Sequence, residues 1–256
     1  MRLTFLGTGT STGVPLLGCH CPICTSPDPH DQRTRSSVLL EYDGRSVVID
    51  TTPDFRQQAL REGIERLDAV IFTHTHADHI FGLDDVRVFN IRQKEAIPVF
   101  ADNESLVSIR RIFKYIFDAT YNASQIPRLD PRVIDGPFDL WGLQIIPLPV
   151  FHGELPVLGF RFGAAAYITD FSLIPDAVFP LLDGLDVLVL DALRHKPHPT
   201  HSTVQNSLEI VERVKPRRAF FTHIAHELSD KATNAELPPG VNLAYDGLKL
   251  EISPSG

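Results

Sequence analysis

Residues 72–79 read FTHTHADH. They close the run LDAVIFTH (67–74), whose apolar character predicts a buried strand. His74 and His76 therefore stand on the loop that leaves a strand. Asp78 and His79 fall at or near a helix N-terminus, where adjacent residues point in different directions. Four ligand-type side chains in six residues, divided in this way, can serve two metal ions rather than one. Imidazole suits zinc, iron, nickel and manganese, and a carboxylate favours the harder ions. A two-metal site with its ions about 3.5–4 Å apart can grip a phosphoryl group from both sides. A single histidine here would read as a helix cap or a surface residue. Three with an aspartate, in the order H-x-H-x-D-H after an apolar strand, do not.

Working outward, the chain alternates strands with helices. LTFLGTG (3–9) is a short strand running into a glycine turn, and SSVLLEYDGRSVVID (36–50) is a hairpin turning at Asp43-Gly44. PDFRQQALREGI (53–64), ADHIFGLDDVRVFN (77–90), ESLVSIRRIFKYIF (104–117) and VQNSLEIVERV (204–214) have helical spacing. Strands are expected at 97–101, 143–152, 158–163, 165–170, 186–193 and 218–223. The tail 242–252 reads as a strand pair, or one strand with a turn at Asp246-Gly247. The least regular stretch is 118–136. Hairpins followed by β–α units, with a similar second half, suit two mixed sheets packed face to face with helices outside. The expected fold is thus a four-layer αββα sandwich, in one domain over 1–256. Asp50, His74, His152, Asp170, Asp191 and His223 each end an apolar strand, where such a scaffold presents its chemistry.

Composition narrows the partners. Of 256 residues, 43% are hydrophobic and 22% charged, which suits a chain with a real core. A net charge of −8 disfavours nucleic acid gripped by a broad basic surface. No apolar run reaches membrane-spanning length. The start, MRLTFLGTGTSTG, turns glycine-rich too early for a signal peptide. All 3 cysteines fall within GCHCPIC (18–24). Clustered thiols and no others suggest a reducing compartment, hence the cytosol. Cys19, Cys21 and Cys24, spaced C-x-C-x-x-C, can surround one tetrahedral zinc, and a histidine would close the site. His20, His30 and His226 are the candidates for it.

HTHADH at 74–79 resembles the signature of the metallo-β-lactamase superfamily, and the resemblance runs along the whole chain. It implies that later strand ends supply the other ligands: His152 (PVFHG), Asp170 (YITD) and His223 (FFTH). On that basis His74, His76 and His152 bind one ion, Asp78, His79 and His223 the other, and Asp170 bridges them. Asp50 (VVIDTTP) would support the site without touching metal. Asp78 is also carried as a catalytic residue. Within the superfamily, GTGTSTGVPLLGCHCPIC (7–24) with THIAHE (222–227) resembles the phosphoribosyl cyclic phosphodiesterases of the carbon–phosphorus lyase pathway. That resemblance implies a structural zinc on Cys19, Cys21, Cys24 and His226, in a loop at 18–26. It also implies that His201, in RHKPHPTHSTVQNSLEI, is a non-ligand histidine beside the metals, where an imidazole can protonate the leaving oxygen or hydrogen-bond a non-bridging one; Thr200, His201 or Ser202 could equally cap the following helix. Asp246 matches a family position too, although a turn explains it equally well. The resemblance loosens over 103–136, the expected pocket-lining segment, where Arg110, Arg111, Lys114 and Arg128 could anchor a second phosphate.

The expected activity is hydrolysis of a small cyclic phosphodiester, with 5-phosphoribosyl 1,2-cyclic phosphate giving ribose 1,5-bisphosphate as the implied example. The cofactors would be two active-site Mn²⁺ or Zn²⁺ ions and one structural Zn²⁺. A phosphorylated sugar is the expected partner, with a homodimer allowed and neither membrane nor nucleic acid expected. The rival readings are a transfer-RNA three-prime processing endonuclease and a non-catalytic metal- or partner-binding module.

Overall fold

A computed structural model of the protein describes residues 1–118 and 125–253. One sheet holds β1 (Arg2–Gly7), β2 (Ser37–Tyr42), β3 (Arg45–Ile49), β4 (Ala69–Ile71), β5 (Ile97–Ala101), β6 (Leu129–Val133) and β14 (Lys249–Glu251), in the order β14-β1-β2-β3-β4-β5-β6. The other holds β7 (Phe138–Leu140), β8 (Leu143–His152), β9 (Leu155–Phe162), β10 (Ala165–Ile168), β11 (Val187–Asp191), β12 (Arg218–Thr222) and β13 (Val241–Leu243), in the order β13-β12-β11-β10-β9-β8-β7. Each sheet is antiparallel on one side and parallel on the other: β3 to β6 run parallel in the first, and β10 to β13 in the second. The helices are α1 (Phe55–Glu62), α2 (Ala77–Ile80), α3 (Arg87–Gln93), α4 (Asn103–Ile112), α5 (Lys114–Phe117), α6 (Val204–Val214) and α7 (Asp230–Glu236).

Successive strand residues face opposite ways, and here both faces are apolar. On β11, Val187 and Val189 join a cluster with Phe5, Ile49, Phe160 and Tyr167 between the sheets, whereas Leu188 and Leu190 face away toward α6. On β3, Val47 and Ile49 point inward and Val48 packs outward with Phe55 of α1. Three buried apolar clusters thus fill the three interfaces of four layers, α, β, β and α, as the sequence predicts. Each fully buried Phe or Leu contributes about 1.5–3 kcal/mol relative to exposure.

The expected hairpin turns at Asp43 and Gly44, both with left-handed φ (46° and 74°), as a tight turn between twisted strands requires. Four expectations need correction, the first being the helix expected over 104–117, which breaks at Phe113 (φ −100°, ψ 42°) into α4 and α5. The single helix expected over 77–90 is broken: α2 stops at Ile80, a 3₁₀ turn covers Leu83–Val86, and α3 follows. The break lies at Gly82, where a Cβ would stand 2.1 Å from the Thr52 carbonyl oxygen, so the chain presses against the loop leaving β3. The tail is not a strand pair. β13 adds to β12 in one sheet and β14 to β1 in the other, with Asp246-Gly247 carrying the chain between them. The irregular 118–136 stretch holds β6, whose polar, proline-containing sequence LDPRV pairs at the sheet edge. Residues 119–124 of the expected pocket-lining segment lie outside the described residues.

Candidate metal centre

The loops leaving β3, β4, β8, β10, β11 and β12 converge at one end of the sandwich. Asp50, Asp170 and His223 each follow a strand closely and each has left-handed backbone, with φ of 66°, 52° and 57°. Such a conformation costs a non-glycine residue about 1–3 kcal/mol and marks positions held by their surroundings.

Asp78, His79, Asp170 and His223 bring one donor atom each within 4.8 Å of one another. His79 Nε2 lies 3.2 Å from Asp78 Oδ2 and 3.3 Å from Asp170 Oδ2, and His223 Nε2 lies 3.1 Å from Asp170 Oδ1. These buried imidazole nitrogens, with His74 Nε2, nevertheless make no hydrogen bond. A buried polar atom without a partner is costly. Donors spaced near the roughly 3.4 Å edge of a tetrahedron around a zinc-sized ion fit that ion instead. The rings of His74, His76 and His152 meet beside this set, with centroids 4.6 Å (His74–His76), 5.8 Å (His74–His152) and 5.2 Å (His76–His152) apart. His76 occupies the N-cap position of α2 but makes no capping hydrogen bond, which removes the capping explanation.

The electrostatics also ask for positive charge at the centre. Burial opposes charge on His79, yet Asp170, Asp50 and Asp78 outweigh it and hold its pKa well above the ordinary value. His223 is likewise raised to about 9, against burial, chiefly by Asp170. His152, with less carboxylate help, is pushed down to about 4 by burial. The field that would hold protons on His79 and His223 would equally hold a cation.

Behind the donors stands a supporting layer. Asp50 is fully buried and accepts from His79 Nδ1 at 2.7 Å, from Thr73 Oγ1 at 2.7 Å and from Thr73 N at 2.9 Å. His152 Nδ1 bonds the Thr200 carbonyl at 2.7 Å. Such partners fix ring orientation and leave the other nitrogen for an ion. His201 Nδ1 lies 2.7 Å from Asp191 Oδ2, and its ring packs 4.6 Å from both His152 and His223. The cap of α6 is Thr203, which accepts from Asn206 N, so His201 is not needed there. Asp191 received no role from the sequence, although it ends an apolar strand just as Asp50 does. His195 and His226 line a separate hollow with Cys21 and Arg194.

The three thiols form the second donor set. Cys19, Cys21 and Cys24 Sγ lie 3.4, 3.5 and 3.5 Å from His226 Nδ1. Zinc bonded tetrahedrally to sulfur at about 2.3 Å and nitrogen at about 2.0 Å sets that separation at ~3.5 Å. His30 instead stacks on Tyr245 with ring centroids 4.0 Å apart. Asp246 proves to be more than a turn residue. Its carboxylate accepts from Thr8 N and Oγ1 and from Thr34 N and Oγ1, tying the loop after β1 to the segment before β2.

Residues 45–224 match the beta-lactamase superfamily domain model, and the chain belongs to that family. A crystal structure described as a new diphosphatase from the PhnP family is 51% identical, with a TM-score of 0.93, covering 99% of this chain and 98% of that one. Zinc-bound PqqB from Methylobacterium extorquens shares the fold at 20% identity, with a TM-score of 0.79 over 98% of this chain and all of that one. An octanoyltransferase of Porphyromonas gingivalis is 39% identical over the whole chain, which spans only 52% of that protein's length.

Proposed function

We propose that the chain is a metal-dependent hydrolase that cleaves P–O bonds in small phosphorylated compounds. The observation that carries this reading is the gathering of Asp78, His79, Asp170 and His223 around unpartnered imidazole nitrogens. In this reading His74, His76 and His152 hold one ion, Asp78, His79 and His223 the second, and Asp170 both. Cys19, Cys21, Cys24 and His226 hold a structural zinc, and reduced thiols put the protein in the cytosol. Among the described residues no helix is long and apolar enough to cross a membrane.

Bound divalent ions supply Lewis acidity toward phosphoryl oxygens and lower the pKa of water. The chain's own part is positioning and proton delivery. Asp50 and Thr200 orient the His79 and His152 rings through Nδ1, leaving Nε2 toward the centre. Asp191 holds His201 by Nδ1, so Nε2 is the atom that carries a proton to the departing oxygen. General acid catalysis of this kind contributes about 10²–10⁴-fold.

A cyclic phosphodiester, with 5-phosphoribosyl 1,2-cyclic phosphate as the example, is the first substrate assignment, supported by the likeness to a PhnP-family structure. A diphosphate is the second, favoured because that same structure is described as a diphosphatase. The net charge of −8 argues against an RNA substrate. The test is product analysis on the cyclic phosphodiester, on organic diphosphates and on bis-p-nitrophenyl phosphate, using manganese- and zinc-loaded protein. Turnover should vanish, and metal content fall, in Asp170→Ala. Metal-replete wild-type protein that cleaves none of these compounds would refute the reading, as would an Asp170→Ala variant with full metal occupancy and activity.

A further inference from the structure

Phe81 follows Asp78 by three residues and still has helical backbone, φ −74° and ψ −4°, at the end of α2. Residues three apart on a helix project from neighbouring positions on one face. Asp78 turns into the donor cluster, so one turn of helical geometry sets Phe81 at the adjoining position of the same face, on the side of the cluster. Phe81 is 53% exposed, although the two residues before it, His79 and Ile80, are buried.

This ring is also packed on one side. It meets buried Phe113, at the α4–α5 junction, edge to face with centroids 6.3 Å apart at 90°. A second tie joins the same two segments, since Tyr115 Oη donates to Asp84 in the 3₁₀ turn just beyond Phe81. One turn before Phe113, the Arg110 guanidinium lies over the Phe117 ring at 5.0 Å, with no carboxylate partner among the described residues. An exposed aromatic face braced from behind, with a guanidinium on the adjoining helix, has the makings of a site that stacks a planar ring and receives an anion.

We infer that Phe81 is a stacking platform for a heteroaromatic ring on the substrate. Of the two substrate assignments above, a ring-stacking site favours the second, the diphosphate, in the form of a nucleoside diphosphate derivative, over the sugar cyclic phosphate. This rests on the proposed P–O hydrolase reading and narrows its substrate class. Phe81 contributes binding and selects the substrate, and it takes no part in bond cleavage.

Binding to the metal-loaded protein tests this without turnover. The probes are adenosine 5′-(α,β-methylene)diphosphate, which resists hydrolysis, and methylenediphosphonate, which has the same phosphorus groups and no ring. Calorimetry should show the nucleotide bound more tightly by wild type. Phe81→Ala should weaken it by roughly tenfold or more, the scale of a lost base–aromatic stack, and leave methylenediphosphonate unchanged. Phe81→Trp should restore nucleotide binding. In a Phe81→Trp, Trp141→Phe double variant, which moves the chain's single tryptophan to the rim, fluorescence should fall with the nucleotide and not with methylenediphosphonate. Equal losses for both probes, no preference for the nucleotide in wild type, or a change only in oligomeric state on Phe81→Ala would each overturn the inference. Ring-dependent binding in a protein that cleaves no P–O bond would strike the proposed reaction and leave the platform standing.

Discussion

Asp50→Asn separates the support of the donor cluster from the support of the fold. The buried carboxylate accepts three hydrogen bonds, two at Oδ2, from His79 Nδ1 and the Thr73 hydroxyl, and one at Oδ1, from Thr73 N. An asparagine that keeps its oxygen at the Oδ2 position must turn its NH₂ toward the Thr73 N–H. One buried backbone donor then loses its acceptor, which costs about 1–3 kcal/mol. The opposing effect is relief of a desolvated charge, because burial pushes the Asp50 carboxyl's pKa up. The net change in the metal-stripped protein should stay within about 2 kcal/mol, a fall in Tm of no more than roughly 8 °C. Metal binding should suffer more. A neutral amide neither raises the basicity of His79 nor orients it as firmly, and losing such a partner lowers metal affinity by roughly 10–100-fold. Metal content measured against a series of competing chelators gives the affinity, and melting of the stripped protein gives the stability. Wild-type metal affinity together with a lowered Tm would refute the reasoning and leave Asp50 as a brace for the β3 exit alone.

His201→Ala should keep its metals and lose about 10²–10⁴-fold in kcat on a substrate with a poor leaving group, while an activated nitrophenyl ester suffers less; equal losses on both would remove the proton-donor role. Asp191→Asn should reproduce that split more weakly, and an Asp191→Asn enzyme with unaltered leaving-group dependence would show that the 2.7 Å contact to His201 only packs the ring. Cys21→Ser should release about one zinc per chain and lower Tm, because a closed structural site stabilises the fold. His223 should stay in place, since Ile224 N and Ala225 N are held by Thr8 O at 2.9 Å and Leu193 O at 3.0 Å independently of His226. Unchanged zinc content and Tm would reduce the three cysteines to ordinary free thiols.

The αββα arrangement was readable because most strands are apolar runs, whereas β6, polar and proline-containing, and β7, three residues long, carry no such pattern. The first four candidate donors, His74, His76, Asp78 and His79, stand out in the sequence because they fall within six residues. His152, Asp170 and His223 required the resemblance, since each alone is an ordinary strand-end residue. Asp191 escaped for the opposite reason. It donates nothing that a motif would record, and its role exists only through a contact across ten positions of chain to His201. Long-range pairing also misled the reading of the tail, where β13 and β14 are adjacent in sequence yet belong to different sheets. Phe81 is invisible from sequence because its spacing suits a buried helix face, and only its exposure at the rim sets it apart.

The backbone at Asp50, Asp170 and His223 explains why these strand-end side chains gather at one end of the sandwich. An L-residue leaving a strand in the left-handed region turns the chain sharply, so that its side chain stands over the end of the sheet. Among the described residues seven non-glycine positions have positive φ. Lys94 and Lys215 end helices, while Asp43 and Trp141 lie in turns between strands, where such φ is ordinary. The remaining three are buried and all lie in or directly behind the donor cluster. Glycine would adopt this backbone without strain, but it would supply no donor. At Asp50 three hydrogen bonds offset the strain. At His223 neither ring nitrogen has a hydrogen-bond partner, so nothing of that kind offsets it. A bound cation would provide the missing partner, and metal binding at His223 would then be coupled directly to its backbone strain.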